Sequence, residues 1–474
     1  MPANPNPARS HNPNPARPSN PVGAGHARPS RAACESLFSQ VSDAARALGV
    51  TDVEVLLAGG EEALTRFANN AIHQNVSARD IDLSVRPVID GRTARATTNR
   101  LDSEGIRNVV AEAVAIARLV APDPDLQPLA GPAEYQPAER WFEATAHVEP
   151  RDRALAVAEA IRVVEGAGQT AAGIYSTGDS FFAVLNSRGL SAWHRETMAR
   201  FSITAMASAG SGWAKASACY HGHLDPVQLA ASASSKAAAS EAPRELPAGR
   251  YTVILEPAAV LDLAGQMFGD FSATAIRDGR SFLNDRIGQK VFGPNIDIFD
   301  DVHHPLQSGA PFDAEGVPRQ ALTLVEGGVV KQVAYSRQAA ALAGVAPTDH
   351  GFPLPNELGE APGNIVIAGG DSTVEQMVAS TERGILVTRL WYIREVDPYQ
   401  KVFTGMTRDG TFLVENGRVA AGVRNFRFNQ SLIEMLSNVE ALSRPVRASG
   451  EESPDMIVPA MKVHDFRFTE VTRF

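Results

Sequence analysis

The sequence predicts an α+β protein in which an N-terminal α+β domain precedes a strand-rich C-terminal domain with a barrel-like or sandwich-like sheet. Three patterns support this prediction. Apolar residues recur at helical spacing early in the chain, short strands follow about every ten residues in its middle, and hairpin signals with few helices fill its C-terminal half. With 474 residues, the chain is long enough for two or three domains of roughly 100–200 residues each.

The first 30 residues differ from the rest in composition. They are rich in Pro, Asn and Arg, and the hexapeptide NPNPAR at 4–9 recurs at 12–17. Proline removes backbone donors, and almost no apolar side chain is present here to pack a core. Residues 1–30 are therefore predicted to be a disordered tail.

Residues 31–120 are predicted to form the N-terminal α+β domain. A helix begins near Arg31 and ends at Gly49, with Ala33, Leu37 and Val41 on its apolar face. The other elements expected here are a buried strand at 53–58, a half-buried strand at 81–85, a hairpin turn at Asp90-Gly91 with a return strand at 93–98, and a helix capped by Ser103.

Residues 121–248 are predicted to form a linker and an antiparallel meander with flanking helices. Five prolines between 121 and 146 favour an irregular connection. A helix follows at 149–165, with Leu155, Ala158, Ile161 and Val164 facing inward. The later elements expected are strands at 170–177, 181–185, 190–197, 200–207 and 213–220, and a small-residue helix at 226–242.

Residues 249–474 are predicted to form the strand-rich domain. A strand at 251–256 leads into a helix that starts at Pro257, runs to about 271 and packs through Val260, Ala264 and Met267. The other elements expected are a hairpin of 322–325 with 329–333, strands at 365–368, 385–396, 412–415 and 423–428, a turn at Asn416-Gly417, a helix at 431–442 and an alternating segment at 458–474.

Composition excludes several classes of protein. The net charge of −10 argues against nucleic acid or an anionic membrane as the main partner. Two cysteines, Cys34 and Cys219, cannot form a disulfide framework or a four-thiolate zinc site, which favours a reducing compartment. The sequence has no apolar run of about 18 residues and no apolar signal region at its N-terminus. A cytoplasmic location is therefore expected.

Two histidine-containing clusters are candidate metal ligands. Asp301 and His303 would share one face of a strand, and the alternative is a polar strand end or turn. His221 and His223 would project from one face at the end of another strand, and the alternative is a solvated strand end. Neither cluster supplies the three or four ligands that zinc usually requires.

The sequence contains no complete catalytic constellation. Cys219 could be a thiolate activated by His221, but a small buried apolar role is the alternative. The nucleophile elbow G-x-S-x-G and the metal motif H-E-x-x-H are absent. Segment 207–212 is rich in Gly and Ser but lacks the Lys-Ser/Thr of a P-loop, so it is interpreted as a turn.

Several segments, taken in order and spacing, resemble the TldD/PmbA (TldD/TldE) peptidase family over residues 31–474. The segments that carry the resemblance are TRFANNAIHQ at 65–74, the DGR-containing segment at 84–96, FDAEGVP at 312–318, VEGGV at 325–329, and TG at 404–405 followed by GTFLVENG at 410–417.

The resemblance implies two kinds of subunit. A TldD-like subunit carries H-E-x-x-x-H on a helix and a later Cys that completes a zinc site, and a TldE/PmbA-like subunit lacks these ligands and pairs with it. In this chain, Gly265 and Asp270 stand in place of the two His, and Gln266 stands in place of the Glu. Glycine offers no ligand atom, Gln is not a base, and no Cys follows Cys219.

The resemblance therefore implies a non-catalytic, TldE/PmbA-like subunit with no catalytic, cofactor-binding or metal-binding residues of its own. Zinc is expected in a TldD-like partner, and the pair would cleave unstructured peptides that add to an exposed sheet edge. One alternative is a stand-alone homodimeric protein that binds peptides or acts as a scaffold without hydrolase activity. Another is an independent hydrolase that uses His221 and His223, or the pair His303 and His304.

Overall fold

The computed structural model describes residues 30–472. The tail predicted for residues 1–30 lies outside these residues, except for Ser30, whose hydroxyl accepts a hydrogen bond from the Ala33 N–H and caps the first helix. Helices cover one face of an N-terminal sheet, and a strand-rich unit follows. The predicted α+β class is confirmed.

The helices, in chain order, are α1 Arg31–Ala47, α2 Ser103–Leu119, α3 Glu143–Ala146, α4 Pro150–Gly166, α5 Pro226–Ala239, α6 Pro257–Ala264, α7 Ala273–Arg277, α8 Arg337–Ala343, α9 Val374–Ala379 and α10 Leu432–Ser437. Single 3₁₀ turns form at His221–His223 and Gly265–Asp270.

The strands are β1 Asp52–Ala68, β2 Ala71–Ile89, β3 Arg92–Thr93, β4 Ala96–Thr98, β5 Thr170–Asn186, β6 Ser191–Met206, β7 Ser211–Ala218, β8 Gly249–Leu255, β9 Ile298–Asp300, β10 Leu322–Glu326, β11 Val329–Val330, β12 Ile365–Ile367, β13 Arg383–Asp397, β14 Val402–Glu415, β15 Arg418–Gly422, β16 Phe426–Ser431, β17 Val439–Leu442, β18 Val446–Ala448, β19 Met456–Val458 and β20 Met461–Val471.

The N-terminal sheet has the order β3-β2-β1-β5-β6-β7, with β4 also paired to β2. The segments 31–120 and 121–248 therefore both contribute strands to a single sheet. Helices α1, α2, α4 and α5 cover one face of this sheet. Alternate side chains of each strand point to that face and pack against the helices. The other face packs Phe182 and Val184 in a cluster with Phe312 of the C-terminal unit.

The C-terminal unit is barrel-like. Its strands run in the order β13-β8-β20-β16-β14-β15, and an additional pairing of β13 with β14 closes five of them into a ring. A second sheet has the order β11-β10-β9-β12-β19-β18. Helix α6 and the residues around it belong to the large core that these strands share.

All four long strands of the N-terminal sheet, β1, β2, β5 and β6, are longer than predicted. The predicted strands at 170–177 and 181–185 are parts of β5, and those at 190–197 and 200–207 are parts of β6. Gly178 marks the expected break in β5. A Cβ atom at this glycine would lie 2.2 Å from the Glu61 carbonyl oxygen, so Gly178 permits close approach of β1 and does not end the strand.

Three helix predictions are wrong in detail. Leu155 was predicted to face inward but is 52% exposed, because the buried stripe of α4 runs through Val157 and Val164. The N-cap of α2 is Asp102, whose carboxylate accepts two backbone N–H bonds, and not Ser103. The helix expected at 431–442 ends at Ser437, because Val439–Leu442 pairs with β20 as β17.

Candidate functional site

Helix α6 and the turn after it contain the three positions that the sequence placed at the metal motif. Val260, Ala264 and Met267 are fully buried, so the predicted packing stripe is confirmed. The α-helix was expected to run to about residue 271, but it ends at Ala264, and a 3₁₀ helix continues from Gly265 to Asp270. The Gln266 side-chain amide donates to the Asp262 carbonyl, the group that an α-helix would pair with the Gln266 N–H.

Gly265 is packed directly against the segment that precedes β19. A Cβ atom added at Gly265 would lie 2.4 Å from Ser453 Oγ and 2.6 Å from Ser453 Cβ. Real Cβ atoms do not approach other atoms this closely. The position therefore has no side chain and, without a shift of Ser453, no space for one.

Gln266 and Asp262 hold the 450–453 loop against the helix. Gln266 Nε2 lies 3.1 Å from the Glu452 carbonyl oxygen and 3.0 Å from Ser453 Oγ. Asp262 is fully buried, and its Oδ1 accepts the N–H groups of Glu451 and Glu452 at 2.9 Å each. Burial raises the pKa of Asp262 to about 7, against the opposing effect of these N–H groups.

Asp270 belongs to a buried ion pair. Its Oδ2 lies 2.5 Å from Lys401 Nζ, its Oδ1 accepts the Phe282 N–H at 3.2 Å, and Lys401 also contacts Glu395 at 2.7 Å. Burial raises the pKa of Asp270, and the charge of Lys401 opposes that rise.

The three positions do not fit a zinc site. Gly265 has no side-chain atom that could ligate a metal ion. The Gln266 amide is already bonded to the loop, and the Asp270 carboxylate is already paired with Lys401. Zinc sites usually take three or four protein ligands. Throughout residues 30–472, no three or more His, Cys, Asp or Glu side chains are grouped so that they could hold a metal ion.

The cluster of Asp301 and His303 forms a turn after β9. Asp301 Oδ1 accepts the His303 N–H at 2.8 Å, and His304 Nδ1 accepts the Leu306 N–H at 3.2 Å. The side chains of Asp301 and His304 bond to the local backbone, which matches the turn interpretation and not a strand face shared by Asp301 and His303.

His221 and His223 lie in a 3₁₀ turn after β7, and not at a strand end as expected. Both imidazoles pack edge-on against Tyr220, with ring centroids 5.3 and 5.1 Å away. Cys219 is half-buried beside them, and burial followed by the charge of Glu196 raises its pKa. A raised pKa disfavours the nucleophilic thiolate.

A cavity borders the 450–455 loop and is lined in part by Gly450, Ser453 and Asp455. It has a volume of about 550 Å³ and lies between β5–β7 of the N-terminal sheet and loops of the C-terminal unit. We call it the interdomain cleft. The residues on which its chemistry depends are Phe182, Glu196, Arg200, Lys215, Phe312, Asp313, Arg319, Phe352, Arg447 and Asp455.

The acidic groups of the interdomain cleft accept hydrogen bonds from within the chain. Burial alone would raise the pKa of Asp455, but Arg447 and Arg200 outweigh it and hold that pKa below its ordinary value. Burial likewise opposes ionisation of Glu196, but the neighbouring His194 ring and the bond from the Gly309 N–H lower its pKa. Sequence analysis missed this cleft because its charged residues lie far apart in the chain and form no local motif.

Comparison with known proteins identifies the family. Three models of PmbA/TldA metallopeptidase domains match this chain: domain 1 at 53–117, the central domain at 144–241 and the C-terminal domain at 248–470. The chain belongs to the PmbA/TldD metallopeptidase family. The family resemblance inferred from the sequence is therefore confirmed.

Individual relatives are distant in sequence but close in fold. Metalloprotease PmbA of Escherichia coli O157:H7 is 24% identical over 78% of this chain and 83% of its own length. A metalloprotease of Methanothermobacter thermautotrophicus is 24% identical over 57% of this chain, which spans 61% of that protein. TldE from Thermococcus kodakarensis superposes with a TM-score of 0.81 at 19% identity, covering 92% of this chain and 99% of TldE.

The structure also bears on the expectation that the chain has no membrane span. Among the described residues, no helix combines the length and apolar character needed to cross a bilayer.

Proposed function

We propose that this chain is the non-catalytic, TldE/PmbA-like subunit of a zinc-dependent peptidase complex that acts on unstructured peptides. One observation carries the proposal: all three positions of the metal motif serve internal packing. Gly265 accommodates Ser453, Gln266 holds the 450–453 loop, and Asp270 neutralises Lys401.

The similarity in fold to TldE supports the same assignment, since it extends over 92% of this chain. A TldD-like homologue is the proposed partner and the proposed source of zinc. The interdomain cleft is the proposed place at which this subunit holds peptide, because its 550 Å³ lies within the usual size range of ligand pockets, roughly 300–1,000 Å³.

A mixing experiment tests the proposal. The chain and the TldD-like homologue of the same organism are purified separately, combined, and analysed for complex formation and for cleavage of an unfolded casein-like substrate. We expect a stable 1:1 complex with an interface above roughly 2,000 Å², as obligate interfaces usually have. We also expect cleavage that a zinc chelator abolishes. Cleavage by this chain alone, at a comparable rate and insensitive to chelator, would contradict the proposal.

The alternative left by the sequence is a homodimeric peptide-binding protein without hydrolase activity. Co-purification distinguishes the two functions. A chain that never associates with the zinc-bearing homologue, yet binds peptide as a dimer, would favour this alternative.

A further inference from the structure

The interdomain cleft contains two guanidinium groups with unused hydrogen-bond donors. Arg200 makes no side-chain hydrogen bond within residues 30–472, and its nearest carboxylate oxygen, on Asp455, is 3.7 Å from Nε. On the C-terminal side, Arg319 Nη1 donates to Asn364 Oδ1, while its buried Nε has no partner among the described residues. An arginine offers five N–H donors, so most of the donors on these two side chains are unused.

The carboxylates that line the cleft accept hydrogen bonds from other groups of the chain, although Asp455 also lies within ion-pair distance of Arg200. Asp455 Oδ2 accepts from Ser217 Oγ at 2.7 Å and from Arg447 Nη2 at 3.0 Å. Glu196 Oε2 accepts the Gly309 N–H at 2.7 Å.

The third carboxylate, Asp313, uses both of its oxygens on backbone groups. Its Oδ1 accepts the N–H groups of Glu315 and Val317, and its Oδ2 accepts that of Gly351. The lining includes four cationic side chains and three carboxylates, so the cleft has a surplus of positive charge. A ligand that fits this surplus must be rich in acceptors, and an arginine pairs best with a carboxylate.

Part of the cleft wall is aromatic. Phe182 and Phe312 stack with centroids 5.7 Å apart, and Phe352 lies on the same cavity. These walls suit an extended peptide whose carboxylate meets the arginines while an apolar side chain contacts the aromatic rings.

We propose that the interdomain cleft binds peptides through a carboxylate group, with Arg200 and Arg319 as the groups that recognise it. The inference rests on the proposed peptide-handling function and specifies its ligand. The carboxylate can be the peptide C-terminus or an acidic side chain, and the experiment separates these two sources.

The test is direct binding to the isolated full-length chain, measured by fluorescence anisotropy. Four dye-labelled peptides of one unstructured sequence with a single Phe combine an internal Glu or Gln with a free or an amidated C-terminus. We expect the fully neutral peptide to bind about 10- to 100-fold more weakly than the peptide with both carboxylates, as loss of a charge-assisted bond predicts. If replacing Glu by Gln alone causes this loss, the cleft recognises an acidic side chain. If amidation of the C-terminus alone causes it, the cleft recognises the peptide C-terminus.

Arginine variants test the same contacts from the protein side. Arg319→Met and Arg200→Met should each weaken binding of the carboxylate peptide at least about tenfold and leave the neutral peptide unaffected. Arg319→Lys keeps the charge and should retain part of the affinity. Arg280→Met is the matched control, because Arg280 pairs with Asp278 on the surface, away from the cleft. Thermal unfolding confirms that each variant is folded.

Equal binding of all four peptides, or no binding of any of them up to millimolar concentration, would overturn the proposal. So would arginine variants that are folded and bind the carboxylate peptide with unchanged affinity. These results are independent of the cleavage assay with the zinc-bearing homologue, so failure of carboxylate recognition is distinguishable from failure of the proposed subunit role.

Discussion

The 450–455 loop borders two regions with different properties. Toward α6, its N–H groups, a carbonyl and a hydroxyl are bonded to Asp262 and Gln266, and Ser453 fills the space beside Gly265. Toward the interdomain cleft, the same loop borders a cavity in which Arg200 and Arg319 keep unused donors. The difference indicates that the helix of the metal motif supports the fold in this chain, whereas the proposed ligand site is the interdomain cleft that borders the same loop.

The largest effect is expected on the helix side, at the buried ion pair. Lys401→Met leaves Asp270 buried without a counter-charge, and we expect a loss of about 3–5 kcal/mol in the free energy of unfolding. Chemical denaturation measures it. The control is Lys331→Met, whose partner Glu326 is exposed and whose loss should cost less than about 1 kcal/mol. Equal losses in the free energy of unfolding for the two variants would show that the buried ion pair stabilises the chain no more than the exposed pair does.

A second prediction concerns the space at Gly265. Gly265→Ala forces a shift of Ser453 and should destabilise the chain by about 1–3 kcal/mol. Gly269→Ala is the matched control, since a Cβ at Gly269 meets no atom within 4 Å. Adding Ser453→Gly to Gly265→Ala should restore part of the loss. If the variants at 265 and 269 have the same stability, the packing explanation for Gly265 is wrong.

A third prediction uses the pKa of Asp262, which is about 7 in the folded chain. A raised folded-state pKa means that the stabilising contribution of this group is complete below its unfolded pKa, near 4, and is lost as pH rises toward 7. Asp262→Asn cannot ionise. The unsubstituted chain should lose stability between pH 5 and pH 8, and the variant should not lose this contribution. The free energy of unfolding of the variant minus that of the unsubstituted chain should therefore rise over this range by about 1.4 kcal/mol or more, the equivalent of one pKa unit. A difference that is constant over this range would contradict the assignment.

The smallest change in stability is expected on the cleft side. Arg200 is exposed and makes no hydrogen bond through its side chain among the described residues, so Arg200→Met should change the free energy of unfolding by less than about 0.5 kcal/mol. Denaturation under the same conditions as for Lys401→Met makes the comparison direct. A loss of several kcal/mol would indicate that Arg200 supports the fold and is not held ready for a ligand.

Local patterns explain what the sequence could predict. The stripe of Val260, Ala264 and Met267 follows helical periodicity, and all three side chains are buried. Turns at Asp90-Gly91 and Asn416-Gly417 adopt the positive φ angles that these residue pairs favour.

Contacts between distant segments explain what the sequence could not predict. Gly178 resembled a strand break because its neighbour on β1 is invisible in the local sequence. The interdomain cleft joins Arg200 on β6, Arg319 in a loop and Arg447 on β18, and no spacing pattern links them. The degenerate metal positions were found only through the family resemblance, because Gly, Gln and Asp in a helix form no motif by themselves.

The zinc content of the isolated chain tests the central claim most directly. The protein is purified without chelator and analysed by inductively coupled plasma mass spectrometry. The account predicts far less than one zinc per chain, because Gly265, Gln266 and Asp270 are committed to internal contacts. About one zinc per chain, lost when His221 and His223 or His303 and His304 are substituted, would contradict the assignment of a non-catalytic subunit.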